Sequence, residues 1–249
     1  NDISLQHLAK SIAVLHHDEE IKAYLRTKDP ATNKIMSDGL EDWLLAFQEQ
    51  GIQEKFHSAA ENPECKALAD DFVLKRKEGL DEKIRKYYVD VKSSVLGEVA
   101  AHRDCHASNW IVPKDDPIRP IMVDYEEARI EFAGIDLGIQ FISGGWKNIW
   151  NQEQRRNFLK HYLKVYYDEF KEEKSESFEE FYSSIISQFE LECLSGGLIY
   201  QYWCVFFLID MIKENKEQIN DPNCFAMIMV KYCHNATLAY LGEIEKLKE

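Results

Sequence analysis

Two polar blocks flank a pair of short apolar segments near the middle of this 249-residue chain, and their order constrains its fold more than any other feature. The first block reads His102-Arg-Asp-Cys-His-Ala-Ser-Asn109. Trp110-Ile-Val112 and Ile121-Met-Val123 follow, both of strand composition, with Pro113-Lys-Asp-Asp-Pro117 between them. Proline and aspartate concentrated in so short a run mark a turn, so the spacing predicts a small β-hairpin. The second block, Asp124-Tyr-Glu-Glu127, begins where the hairpin ends, and Gly134-Ile-Asp-Leu-Gly138 comes soon after. A hairpin between the blocks returns Asp124 to the neighbourhood of Asn109.

Around this centre the chain reads as helix. Leu5, Leu8, Ile12 and Leu15 recur at helical spacing, with Asp2 or Ser4 as caps and His16-His17-Asp18 as the end. Trp43, Leu44 and Phe47 place a second helix near Asp42–Gln50. A polar helical region covers about 63–94, with Gly79 as an interruption. Residues 152–170, 176–194, 197–218 and 222–248 all carry helix-length apolar periodicity, and Asp221-Pro222 marks a helix start. The expected fold is mainly α with one small hairpin. It divides into a helical region (1–98), the hairpin with its flanking blocks (99–140) and a second helical region (141–249).

Composition narrows the function. Thirty basic residues against 44 acidic ones give a formal charge of -14, which argues against nucleic acid, whose phosphates need a basic surface, and tolerates a cationic small molecule. No apolar run has the length of a membrane span. The six cysteines show no CxxC spacing, and several lie in apolar runs, which reads as free thiols in a reducing, cytoplasmic setting.

The polar blocks carry a recognisable chemistry. Phosphoryl transfer asks little covalent work of a protein; it needs a carboxylate beside the acceptor hydroxyl and oxygen ligands for Mg²⁺. Asp104 suits the first task. The amide oxygen of Asn109 and the carboxylate of Asp124 suit the second. His102-Arg-Asp-Cys-His-Ala-Ser-Asn109, Val123-Asp-Tyr-Glu126 and Gly134-Ile-Asp-Leu-Gly138 together resemble the choline/ethanolamine kinase and aminoglycoside phosphotransferase superfamily, whose members share the protein-kinase-like fold. The Asp-Tyr-Glu and Gly-x-Asp-Leu-Gly runs look closer to choline kinases. Leu8-Ala-x-x-Ile12-Ala-x-Leu15-His16 resembles the family's first helix after the hinge. The sharp likeness covers about 99–140.

That resemblance implies an ATP- and Mg²⁺-dependent kinase acting on the hydroxyl of a small, cationic acceptor such as choline, ethanolamine or an amino sugar. Asp104 is then the catalytic base, Asn109 and Asp124 bind metal and nucleotide, His102 holds the loop, and Asp136 braces it from the following helix. Glu126, Tyr200 and Trp203 are the candidate substrate residues, the aromatics as walls of a cation–π cage; a helical core is the other use of such aromatics. The sequence shows no glycine-rich nucleotide loop and no strand lysine. The reading is therefore of a kinase-like C-terminal lobe, its N-lobe expected from sequence upstream of Asn1 or from another polypeptide. A non-catalytic binding or scaffold module is the alternative, and a metal-dependent hydrolase fits less well because its ligands are not clustered. The scattered histidines, His16 and His17 among them, read as surface or packing residues.

Overall fold

The apolar periodicity produces helices that wrap two short sheets. A computed structural model describes residues 2–28, 63–92, 94–114, 120–142, 149–214 and 225–248. Helix α1 (Asp2–His17) is followed at once by α2 (Glu19–Thr27), because the Asp18 carboxylate accepts the Ile21 N–H at 2.9 Å and caps the new helix. The polar helical region forms α3 (Pro63–Lys77) and α4 (Leu80–Lys92), broken where Gly79 takes φ +96°. The helix expected at Asp42–Gln50, the end of the 113–117 turn and the Asp221-Pro222 start lie outside the described residues.

Strands β1 (Glu98–Ala101), β2 (Trp110–Ile111), β3 (Ile121–Met122) and β4 (Arg129–Phe132) form two antiparallel pairs. Trp110 stands opposite Met122, forming the hairpin read from the sequence. The second pair, with Glu98 opposite Phe132 and Ala101 opposite Arg129, encloses the first. The single-hairpin expectation missed it, since these strands are short and pair across the whole intervening segment.

Helix α5 (Ala133–Gln140) starts where β4 ends. Next come α6 (Gln152–Val165), opened by an Asn151/Gln154 capping box and closed by a π turn at Tyr166–Phe170, then α7 (Phe178–Glu214) and α8 (Phe225–Lys248). Helix α7 packs against α4, α5, α6 and α8 and is the spine of the molecule, while α1 lies on α6 and β1. Among the described residues no helix is long and apolar enough to cross a membrane, and Cys105, Cys193, Cys204 and Cys233 are free and buried.

Residues 176–218 were expected as two helices parted near Gly196-Gly197, but α7 runs through them. Its glycines serve close packing instead of a break. A Cβ on Gly197 would stand 2.6 Å from Tyr240 Cζ, and one on Gly134 of α5 would stand 2.7 Å from the Glu192 carbonyl oxygen. Gly138 and Gly196 meet backbone of the facing helix just as tightly. Glycine costs about 1 kcal/mol against alanine inside a helix; here the backbones touch, and tertiary contact outweighs that cost. Glu192 is buried in this seam: its Oε1 accepts from Ser94 Oγ at 2.8 Å and from Gly134 N at 3.3 Å, whereas Oε2 has no hydrogen-bond partner among the described residues. Burial pushes its carboxyl up to about 7.

Candidate active site

The loop between β1 and β2 opens with a backbone turn that tertiary contacts must hold. Arg103 has φ +68°, the left-handed region that a Cβ disfavours. Asp136, on the first turn of α5 and fully buried, accepts the N–H of His102 at 2.6 Å and of Arg103 at 2.7 Å, one on each oxygen. The His102 ring adds two further ties. Its Nε2 donates to the Val123 carbonyl at 2.8 Å, which leaves Nδ1 to accept from Asp104 N at 3.3 Å. Tyr125 lies against that ring with 4.9 Å between centroids.

Asp104 emerges from the turn half-buried and surrounded by donors. Tyr200 Oη donates to its Oδ1 at 2.7 Å, Asn109 Nδ2 donates to its Oδ2 at 3.0 Å, and His106 Nε2 lies 3.4 Å from Oδ2. Burial pushes the carboxyl pKa up, but the bonds from His106, Tyr200 and Asn109 outweigh it and hold the group down to about 2. Asp104 is therefore a carboxylate throughout the neutral range.

Asn109 Nδ2 also donates to the Asp104 carbonyl at 2.9 Å, so its amide nitrogen is committed and its amide oxygen is left over. Its backbone carbonyl accepts from Val123 N at 3.0 Å, which continues the hairpin ladder by one step. Asp124 is the next residue. It takes φ +68° and ψ +59°, is exposed, and its carboxylate makes no hydrogen bond or ion pair among the described residues. A hard cation takes oxygen ligands. The Asn109 amide oxygen and the Asp124 carboxylate are uncommitted oxygen groups at this end of the hairpin among the described residues. No cluster of three His, Cys, Asp or Glu side chains able to hold a metal occurs among the described residues.

The candidate substrate residues divide. Glu126 is exposed on the turn after Asp124, and Trp203 is half-buried, its ring 6.2 Å from that of Tyr200. Tyr200 is buried and committed to Asp104. Tyr202 donates to Asp81 of α4 at 2.6 Å, and Trp150 packs on Phe141 and Phe158, so both belong to the core. Trp146 lies outside the described residues. Burial, and then the charge of Asp136, push the Cys105 thiol well up, which leaves it a packing residue rather than a nucleophile. The aromatic stripe on α7 was legible in the sequence, but the bond from Tyr200 to Asp104 had no local signal.

Beside the hairpin, His7, Lys10 and Val14 of α1 face Ile121, Met122 and Tyr125 across a cavity of about 420 Å³.

The architecture is similar to that of a known structure. Spectinomycin phosphotransferase APH(9)-Ia, solved in complex with ADP and spectinomycin, matches with a TM-score of 0.50 at 16% identity, over 97% of this chain and 66% of that one. At that identity the likeness is one of fold, and the chain spans just under two thirds of its neighbour's length. No protein-family model and no curated protein matches the sequence.

Proposed function

We propose that this chain transfers a phosphoryl group from ATP to the hydroxyl of a small molecule, with Asp104 facing the acceptor and Asn109 and Asp124 facing the metal and nucleotide. The observation that supports the reading is the pattern of contacts at one end of the hairpin. Asp104 is an ionised carboxylate fixed by three donors, while the oxygens of Asn109 and Asp124 beside it are left for a cation. Mg²⁺, when bound, supplies charge neutralisation to the phosphate oxygens.

The residues divide the remaining work. A carboxylate held down to about 2 is a weak base and a good hydrogen-bond acceptor, so Asp104 orients the acceptor hydroxyl and takes its proton late, which suits a loose phosphoryl transition state. Asn109 Nδ2 keeps Asp104 oriented, and its amide oxygen would hold the metal. Asp136 and His102 hold the turn. The 420 Å³ cavity is lined in part by Tyr125, the residue after Asp124, and lies in the usual volume range of small-ligand sites; it is the proposed nucleotide seat.

The acceptor is proposed as a hydroxylated cation. The net charge of -14, exposed Glu126 and half-buried Trp203 support it. Tyr200 does not serve as a cage wall, because its hydroxyl is used on Asp104. The structural neighbour's complex with spectinomycin lends weight to an amino-sugar-like acceptor over choline.

The test is Mg²⁺-dependent nucleotide turnover with choline, ethanolamine and a representative amino sugar, in the parent and in Asp104→Asn and Asp124→Asn. Asp104→Asn should lose turnover and keep nucleotide binding; Asp124→Asn should lose metal-dependent binding. A parent that binds nucleotide without turning over any acceptor supports a non-catalytic module. One that binds no nucleotide at all sinks the phosphotransfer reading.

A further inference from the structure

A second set of buried polar groups lies behind the candidate site and is not accounted for by the roles above. His16, near the end of α1, is fully buried, and its Nε2 lies 3.0 Å from Asp136 Oδ2. Its Nδ1 lies 2.8 Å from the hydroxyl of Tyr162 on α6, which in turn lies 3.1 Å from His17 Nε2. Three buried side chains from two helices thus end on the α5 carboxylate that holds the His102–Arg103 turn.

We propose that His16 is a positioning residue for Asp104, acting through Asp136; the proposal rests on the phosphotransfer reading and adds α1 to its machinery. Both oxygens of Asp136 already accept a backbone N–H, so the third contact needs a donor, and His16 Nε2 carries the proton. In neutral His16 the Nδ1 is then an acceptor, and Tyr162 Oη must donate to it. The Tyr162 oxygen is left to accept from His17 Nε2–H. In this order each contact of the chain pairs one donor with one acceptor. His17 fits it: burial above all holds its pKa down to about 3, so it stays neutral.

The physical role follows from what Asp136 has to do. It fixes a non-glycine residue at φ +68°, and strain of that kind persists only where the surroundings over-determine it. Two backbone donors alone allow the carboxylate to pivot about the line between them. The donor from α1 approaches Oδ2 from a different element and fixes the orientation. Loss of His16 leaves a buried carboxylate with one fewer donor, and the turn bearing Asp104 should open more often.

The experiment compares His16→Leu, His16→Gln and His16→Asn. Glutamine carries an amide N–H near the position of imidazole Nε2, whereas asparagine does not reach it. Amide hydrogen exchange is read at His102 and Arg103, with Val99 and Ala100 of β1 as controls for global stability. In His16→Leu, exchange at His102 and Arg103 should rise roughly ten- to a hundredfold above the controls, the factor set by one hydrogen bond to a buried charge. His16→Gln should restore most of that protection and His16→Asn should not. In turnover, His16→Leu should lower kcat by a similar factor with the acceptor KM little changed, and His16→Gln should recover it. The proposal is overturned if His102 and Arg103 exchange no faster than β1 in His16→Leu, or if glutamine performs no better than asparagine. The glutamine–asparagine pair decides the matter if the leucine variant does not fold. Exchange needs no substrate, so a parent without phosphotransfer would end the reading above and leave the grip of His16 on Asp136 separately decided.

Discussion

Replacing Gly134 with alanine tests the seam between α5 and α7 and the site at once. The new Cβ would stand 2.7 Å from the Glu192 carbonyl oxygen and 2.9 Å from its carbonyl carbon. Both are backbone atoms in the middle of a long helix, so no side chain can swing aside. Ordinary contact requires the two helices to part by about 0.7 Å, a gap that forfeits between a quarter and a half of each dispersion well it opens. Overpacking of this kind costs about 1–3 kcal/mol. In a chain of this size that lowers Tm by roughly 3–10 °C. Asp136 sits two residues further along α5 and holds His102 and Arg103 at 2.6 and 2.7 Å; a retreat of that size takes both bonds toward or past the ordinary hydrogen-bond limit of about 3.2 Å. Gly134→Ala should therefore lose turnover below its own melting range, beyond what the stability change accounts for. Gly242→Ala in α8 is the control. Nothing lies within 4 Å of its Cβ, so it should gain about 0.5–1 kcal/mol from helix propensity alone. Thermal and denaturant unfolding measure both. A Gly134→Ala protein as stable as the parent, or a Gly242→Ala protein destabilised to the same degree, refutes the close-packing argument.

Removing the Tyr200 hydroxyl with phenylalanine takes one donor from Asp104, so the carboxyl pKa should climb from about 2 and kcat should fall by roughly tenfold, read from the pH–rate profile. Asp104 itself, held below its ordinary 3.8, contributes stability that is complete above about pH 4 and lost as pH falls toward 2; Asp104→Asn should remove that acid limb from a plot of Tm against pH. Glu192 has the opposite sign. Its folded carboxyl binds a proton up to about 7 against an ordinary 4.5, so its contribution to stability declines as pH rises from about 4.5 to 7, and Glu192→Gln should flatten that slope. His17, neutral in the fold down to about 3 against 6.5, costs stability as pH falls from about 6.5 toward 3, and His17→Gln should reduce that loss in the same measurement.

What the sequence made legible follows the range of each interaction. Asp18 capping α2, Gly79 breaking the α3–α4 run and the pairing of β2 with β3 are local events, written in nearby residues. The spacing from Asp104 to Asn109 is equally local, and it brings those two side chains together on one loop. The β1–β4 pair was hidden because Glu98–Ala101 acquires its partner only after the whole 102–128 segment has folded back. Glycine at 196–197 looked like a break because propensity knows nothing of Tyr240 or Gly138. His16 and Tyr200 carried no site signal for a related reason. A histidine or tyrosine on a helix face shows in the sequence that it is buried, but the carboxylate it meets lies 120 or 96 residues away.

The nesting of the two sheets has a consequence for how such a site can diversify. The Glu98–Phe132 pairing clamps the base of a closed segment, and the Trp110–Met122 pairing clamps it again nearer the middle. Asp104, Asn109 and Asp124 all lie between the two clamps. Whatever joins Ile111 to Ile121 lies beyond the second clamp, and extra length there costs only about 0.6 kcal/mol per doubling of the loop. The tip of the arm can therefore be lengthened, recomposed or exchanged while the register that sets Asn109 against Val123 stays fixed, so variation in what the arm touches is uncoupled from the geometry of the chemistry at its root.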